Sequence, residues 1–293
     1  MRSSLSGFHC EVSNKNSSLH FFLWVSRNAI IKGSIMQELR TFIKGEIGRN
    51  IVWLSVVDST NSFAMELAGK GASHGTVVIA ESQAKGRGRM GRAWLSPSGG
   101  NIYMSVILAP SIRLKETTLL TIMAGVACCS SLRNTTGLPV EIKWPNDLMV
   151  SDKKLGGILT EIKSSGSKVV CAVMGIGINV NTVLEDFPPE VRAIATSVRN
   201  ERGGENEPKS ILIAAMLNEL DRWYRVFAQK RNSALLEEWR NLTSMMGKPV
   251  QVTTGDEIIK GLAHDIDEGG ALIVQLPSGS LKKISFGDLV VLR

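Results

Sequence analysis

Residues 83–94, QAKGRGRMGRAW, set three glycines (Gly86, Gly88, Gly91) among four cations (Lys85, Arg87, Arg89, Arg92) with no acid between them. Glycines at alternate positions let a backbone take positive φ and bring its N–H groups close to a ligand, while arginine adds fixed charge and a forked donor. Together these suit a phosphate or a carboxylate. A solvated basic loop, or an arginine-glycine tract lying on nucleic acid, has the same composition. The flanks separate these readings. Residues 76–80 (TVVIA) and 101–108 (NIYMSVIL) are apolar runs of strand length, so the loop hangs between two core strands and is held in place.

Four further stretches put polar groups where chemistry could use them. Asp58-Ser59-Thr60-Asn61 precedes the apolar spacing of FAMELAGK; any of the four can cap a helix there, and the same groups can face a ligand. In VEIKWPNDLMV (140–150) an alternating strand meets Pro145 and must leave regular pairing, which sets Asn146 and Asp147 at a turn, as turn formers or as groups aimed into a crevice. Lys154 opens KLGGILTEI, where Gly156 and Gly157 permit a close backbone approach; the lysine is either a surface charge or a partner for an anion. KVVCAVMGIGINVN (168–181) is nearly all apolar and predicts a central strand, with Gly175 and Gly177 leaving space above the sheet and Asn179 and Asn181 at its end. Its glycines lack the continuation of a dinucleotide fingerprint.

The elements that must position these groups follow from periodicity. NIVWLSVV (50–57) is a β-branched strand, and residues 117–132 are a buried helix in which Cys128 and Cys129 act as packing filler. Lys209–Phe227 and Ser233–Leu242 are amphipathic helices. Residues 182–208, polar and proline-bearing, predict a mobile loop whose apolar members cover a ligand. After Gly247 short strands alternate with Gly-Asp, Glu-Gly-Gly and Pro-Ser-Gly turns, a small all-β unit. The expected class is α+β: a mixed β-sheet domain with packed helices over 36–246, then an all-β domain over 247–293.

Gln83 with GRGRMGRAW, KWPNDL (143–148), KLGGIL (154–159) and GIGINVN (175–181) resemble, in order and spacing, the signature blocks of the biotin protein ligases. The similarity runs from about Val56 to Arg293. It implies a biotin/lipoate ligase-like catalytic domain followed by an SH3-like C-terminal domain, with ATP, biotin and Mg²⁺ as ligands and the biotin carrier domain of a biotin-dependent carboxylase as acceptor. Carried over residue by residue, it implies a biotin pocket of Ser59, Thr60, Asn61, Gln83, Arg87, Gly88, Arg89, Lys154 and Gly157. ATP and adenylate contacts are implied for Arg87, Arg89, Arg92, Trp94, Asn146, Asp147, Asn179 and Arg293, and catalytic roles for Lys154 and Arg89. No metal-ligand set is implied, Mg²⁺ being held mainly by the ATP phosphates. Some members carry a winged helix-turn-helix ahead of the catalytic part. The residues at the front of this chain lack its helical periodicity, so a form without a DNA-binding domain and without a nucleic-acid partner is expected, together with a homodimer through sheet edges. A lipoate ligase or lipoyl transferase is the nearest alternative, and would need a pocket for a long apolar chain. From another class comes a basic nucleic-acid module with steep salt dependence and no ATP turnover. The P-loop pattern is absent.

Composition sets the outer bounds. The 293 residues are 43% hydrophobic and 21% charged, ordinary for a globular protein. Arg2, Lys15, Arg27 and Lys32 against Glu11 place +3 of the formal +7 on residues 1–35, leaving +4, a balance that suits phosphate-bearing partners. The cysteines (Cys10, Cys128, Cys129, Cys171) have neither zinc nor disulfide spacing, which fits a reducing cytoplasm. Residues 1–35 hold only a short apolar run, Phe21–Val25, too short to span a bilayer, so no membrane partner is expected. They read as a disordered extension or as a start placed ahead of Met36.

Overall fold

The computed structural model describes residues 33–292. What the sequence suggests for residues 1–32 and for Arg293 therefore lies outside the described residues. Helix α1 (Gly33–Phe42) begins within the stretch expected to be an extension. Strand β1 (Ile51–Val57), helix α2 (Thr60–Gly69) and strands β2 (Val77–Gln83) and β3 (Ile102–Leu108) follow, then helix α3 (Thr117–Thr136). Strands β4 (Val140–Lys143), β5 (Asp147–Val150), β6 (Lys153–Ser165) and β7 (Lys168–Ile178) complete a seven-stranded sheet of order β1-β2-β3-β7-β6-β5-β4. Only β1 and β2 run parallel; the sheet is mixed, as expected. The apolar β7 takes the central place, which its burial on both faces requires.

Residues 140–150 form two strands rather than one. Pro145 lies in the turn of a β4–β5 hairpin that pairs Lys143 with Asp147, and this brings Asn146 and Asp147 to the sheet end. Helix α3 is buried along nearly all its length, between the sheet and helices α6 (Lys209–Ala228) and α7 (Asn232–Asn241). Cys128 and Cys129 are fully buried within it; burial pushes the Cys129 thiol up to about 12 and the Cys128 thiol up as well, so both act as packing. Helix α2 lies on the opposite face, where Phe63, Ala64 and Leu67 pack on Leu54, Val78, Ala80, Ile107 and Val173.

Residues 182–208 are more ordered than the polar composition suggests. They carry two short helices, α4 (Pro189–Arg192) and α5 (Val198–Glu201), the latter capped by Ser197. The segment is pinned to β6 by Lys154 N donating to Ile194 O at 2.7 Å and Thr196 N donating to Lys154 O at 2.9 Å. Fully buried Val198 and Ser197 fix it from below.

The second sheet is antiparallel and SH3-like: β8 (Pro249–Thr254), β9 (Glu257–Ile266), β10 (Leu272–Gln275), β11 (Leu281–Ile284) and β12 (Asp288–Val291), in the order β11-β10-β9-β8-β12. Its buried face is part of the same apolar cluster as α3 and α7. Trp144, fully buried, donates from Nε1 to Gly270 O at 3.1 Å and so joins the β4–β5 turn to this sheet. Among the described residues no helix is long and apolar enough to cross a membrane.

Candidate active site

A cavity of about 430 Å³ opens above the centre of the seven-stranded sheet. Ser59, Thr60, Asn61, Gln83, Arg87, Gly88, Arg89, Arg92, Trp94, Asn146, Asp147, Lys154, Gly157 and Asn179 all line it, which is every sequence-derived site residue except Arg293. Residues up to 120 positions apart in sequence, Ser59 and Asn179, meet here because strand ends and the N-terminus of α2 converge on one side of the sheet.

One end of the cavity is neutral. The N–H and hydroxyl of Thr60 both lie against Gln83 Oε1, at 2.8 and 3.1 Å, and Gln83 Nε2 donates to Ser96 Oγ at 2.8 Å. Ser105 Oγ stands 2.7 Å from Asn61 Oδ1 and 2.8 Å from Thr60 Oγ1. Since an amide oxygen can only accept, the single Ser105 proton belongs to Asn61. Asn61 Nδ2 donates to Leu159 O at 3.0 Å and to Glu161 Oε2 at 2.9 Å. Ser59 caps α2, its side chain accepting from Ser62 N. The cap and the cavity wall are thus one structure, as the DSTN stretch allowed. Gly175 lies directly beneath Asn61: a Cβ there would collide with the carboxamide.

The other end is cationic. Asp147 receives Lys154 Nζ at 2.6 Å and Lys143 Nζ at 3.3 Å. Lys154 also sits 5.5 Å from the centroid of Trp94, a cation–π contact. Trp94 lies over Gly177, where a Cβ would come within 2.7 Å of the indole; its buried Nε1 is left without a hydrogen-bond partner inside the protein. The space that Gly175 and Gly177 leave above the sheet is therefore filled by Asn61 and Trp94. Asn179 turns its Nδ2 to Thr196 O at 3.0 Å, and Asn146 its Nδ2 to Ile158 O at 2.8 Å, each fixing a strand end. Phe187, Val191 and Ile194, the apolar members foreseen in residues 182–208, form a side wall.

The basic loop folds back on itself as a hairpin. Trp94 N donates to Gly86 O at 2.9 Å and Gly88 N to Arg92 O at 2.7 Å, while Met90 and Gly91 make the bend at φ 55° and 74°. The Gly88 amide is thus engaged within the loop. Arg89 donates to Asn146 Oδ1 at 3.0 Å and to Gly287 O at 3.2 Å; burial pulls its pKa below the ordinary arginine value, against the opposing pull of Asp288 and Asp147. Arg92 pairs with Asp288, and Arg87 with Glu161 at 2.6 Å. Ser105, Glu161, Lys143 and the Gly287–Asp288 pair were not foreseen as part of this region. Ser105 sits in a run that reads as pure core, and the C-terminal contacts cross about two hundred residues of sequence. Glu161 alone carried a signal, as the single acid in strand β6. Among the described residues no three His, Cys, Asp or Glu side chains gather to hold a metal.

A mixed sheet, an SH3-like second sheet and a cleft neutral at one end and cationic at the other define the biotin/lipoate ligase class. Residues 53–179 match the Biotin/lipoate A/B protein ligase family and residues 246–292 the Biotin protein ligase C terminal domain. The chain is 36% identical over 253 residues to the Bifunctional ligase/repressor BirA of Bacillus spizizenii, covering 86% of this chain and 77% of that one. It is 31% identical to the Biotin--[acetyl-CoA-carboxylase] ligase of Paracoccus denitrificans, over 77% of this chain and 94% of the other. The solved biotin protein ligase from Aquifex aeolicus in complex with biotin and ATP is 30% identical, with a TM-score of 0.72, covering 84% of this chain and 99% of that structure. The chain belongs to the biotin protein ligases, and the lipoate-ligase and nucleic-acid readings give way to this one.

Proposed function

We propose that this cleft joins biotin to ATP to give biotinyl-5'-AMP and then passes the biotinyl group to a lysine of a carboxylase biotin carrier domain. The observation that carries the reading is the polarity of the cleft. The hydroxyls and amides of Ser59, Thr60, Asn61 and Gln83 suit a small, uncharged heterocycle that both donates and accepts. Arg89, Arg92 and Lys154, lining the same cavity, suit the carboxylate and phosphates.

In the first step a carboxylate oxygen of biotin attacks the α-phosphorus and the bond to pyrophosphate breaks. In the second an acceptor amine attacks the acyl carbon and AMP leaves. The protein's part is positioning and charge stabilisation. Lys154 leaves Asp147 to meet charge on the carboxyl and phosphoryl oxygens. Arg89 holds the phosphoryl group, its burial strengthening the pull. Trp94 offers its unpartnered indole N–H and, with Phe187, Val191 and Ile194, an apolar enclosure for the nucleotide. Asn146 and Asn179 hold the strand ends in place around it. The family's reaction implies Mg²⁺, which would be held by the triphosphate; the two carboxylates at the cationic end, Asp147 and Asp288, are already paired with Lys154, Lys143 and Arg92, which leaves them little capacity for a cation. The buried thiols of Cys128 and Cys129 suit a reducing cytoplasm, and a homodimer through sheet edges is our reading of the assembly.

The test is to incubate the purified chain with ATP, biotin and an acceptor domain and to weigh the acceptor. A gain of one biotinyl group, dependent on ATP, supports the reading. No gain with biotin but a gain with lipoate would overturn it.

A further inference from the structure

Arg87 is the one loop arginine whose guanidinium is turned away from both the cationic end and the C-terminal sheet. Its Nη2 lies 2.6 Å from Glu161 Oε2, the same carboxylate oxygen that accepts Asn61 Nδ2 at 2.9 Å. One atom of β6 thus holds the basic loop and the first turn of α2 together, joining three segments that come from residues 61, 87 and 161. Glu161 does not itself line the cavity, whereas both of its partners do.

A ligand carboxylate at the Arg87 fork would compete with Glu161, whose Oε2 is held in place by its second bond, from Asn61 Nδ2. Asn61 has its amide hydrogens on Leu159 O and Glu161 and its oxygen on Ser105, so its orientation is set by the protein. We propose that Glu161 is a positioning residue: it anchors Arg87 and orients Asn61, docking the basic loop against the neutral end, so that Arg87 serves as the loop's tether and Arg89 is left to hold the ligand's anion. This rests on the biotin ligase reading and adds to it a role for a side chain outside the cavity. Glu161 supplies the negative charge that faces the Arg87 guanidinium, and an amide in its place would keep one charge-assisted bond but lose the attraction between two ions.

The test uses the full chain and two measurements. Trypsin cleavage after Arg92, followed by mass spectrometry without ligand, reads how firmly the loop is docked. Steady-state pyrophosphate release against biotin concentration gives KM and kcat separately. For Glu161→Gln, which keeps the shape and removes the charge, cleavage should quicken roughly two- to fivefold and KM for biotin should rise by a similar factor, the scale of a partly exposed ion pair, with kcat unchanged within error. Arg87→Met, at an exposed site, should match it, and combining the two should add nothing further. Cleavage and KM at wild-type values in either variant, additive effects in the double variant, or a loss in kcat at unchanged KM would each overturn the proposal. The cleavage measurement needs no substrate, so it judges the tether even if the chain proves not to bind biotin.

Discussion

The two ends of the cleft are built on different principles. At the neutral end Gln83, Thr60, Ser105 and Asn61 form a continuous chain of short polar contacts, 2.7 to 3.1 Å, between uncharged groups on three elements. At the cationic end Lys154 and Lys143 share Asp147, and Arg92 takes Asp288. Neutral buried hydrogen bonds are worth about 1 kcal/mol each, but breaking one strands a partner, so such a chain fixes shape. Partly exposed ion pairs contribute about 0–1 kcal/mol and exchange partners readily. A phosphate that arrives can take the place of a carboxylate with little loss. The neutral end is a mould, and the cationic end is a set of charges on loan to the protein's own acids.

That contrast can be broken most decisively at Lys154. Lys154→Ala should slow adenylation roughly a hundred- to a thousandfold, the scale seen when a charge-stabilising donor is removed. Pyrophosphate release at the wild-type rate would mean that the phosphates lie elsewhere. Arg89→Gly removes a charged donor worth about 1.5–3 kcal/mol, so biotinyl-adenylate should leave roughly ten- to a hundredfold faster and label lysines at large. Unchanged retention in a dissociation assay would place the anion away from this loop. Gly175→Ala drives a methyl into the Asn61 carboxamide and should cost about 1–3 kcal/mol of stability along with biotin affinity. An unaltered thermal transition and binding isotherm would show that the mould is soft. Ser105→Ala is the gentlest change: the Asn61 oxygen loses its donor, for about 1 kcal/mol and a roughly fivefold weaker biotin affinity by calorimetry. An effect as large as that of Lys154→Ala would erase the distinction between the ends.

Much of this was legible in the sequence, for local reasons. Glycines between arginines announce a loop that approaches an anion, and Pro145 followed by Asn146 and Asp147 announces a sheet-end turn. The apolar run of β7 announces the central strand. What stayed hidden depends on pairings with no local pattern. Ser105 looks like a small residue in an apolar strand until Asn61 and Thr60 are placed beside it, 44 and 45 positions away. Glu161 meets Arg87 across 74 positions, and Asp288 meets Arg92 across 196. The polarity of residues 182–208 points to mobility. The backbone ladder to Lys154, which orders them, uses N–H and C=O groups that every residue has and so leaves no trace in side-chain types.

The shared apolar cluster and the Trp144–Gly270 bond make the C-terminal sheet something other than an appendage. Cutting the chain after residue 246 would open a greasy wound along α3 and strand the indole N–H beneath it. A trimmed chain should collapse or aggregate rather than persist as a slower enzyme. The intact protein should lose heat-capacity structure in one cooperative step. Two resolved peaks by scanning calorimetry would show that the halves stand independently.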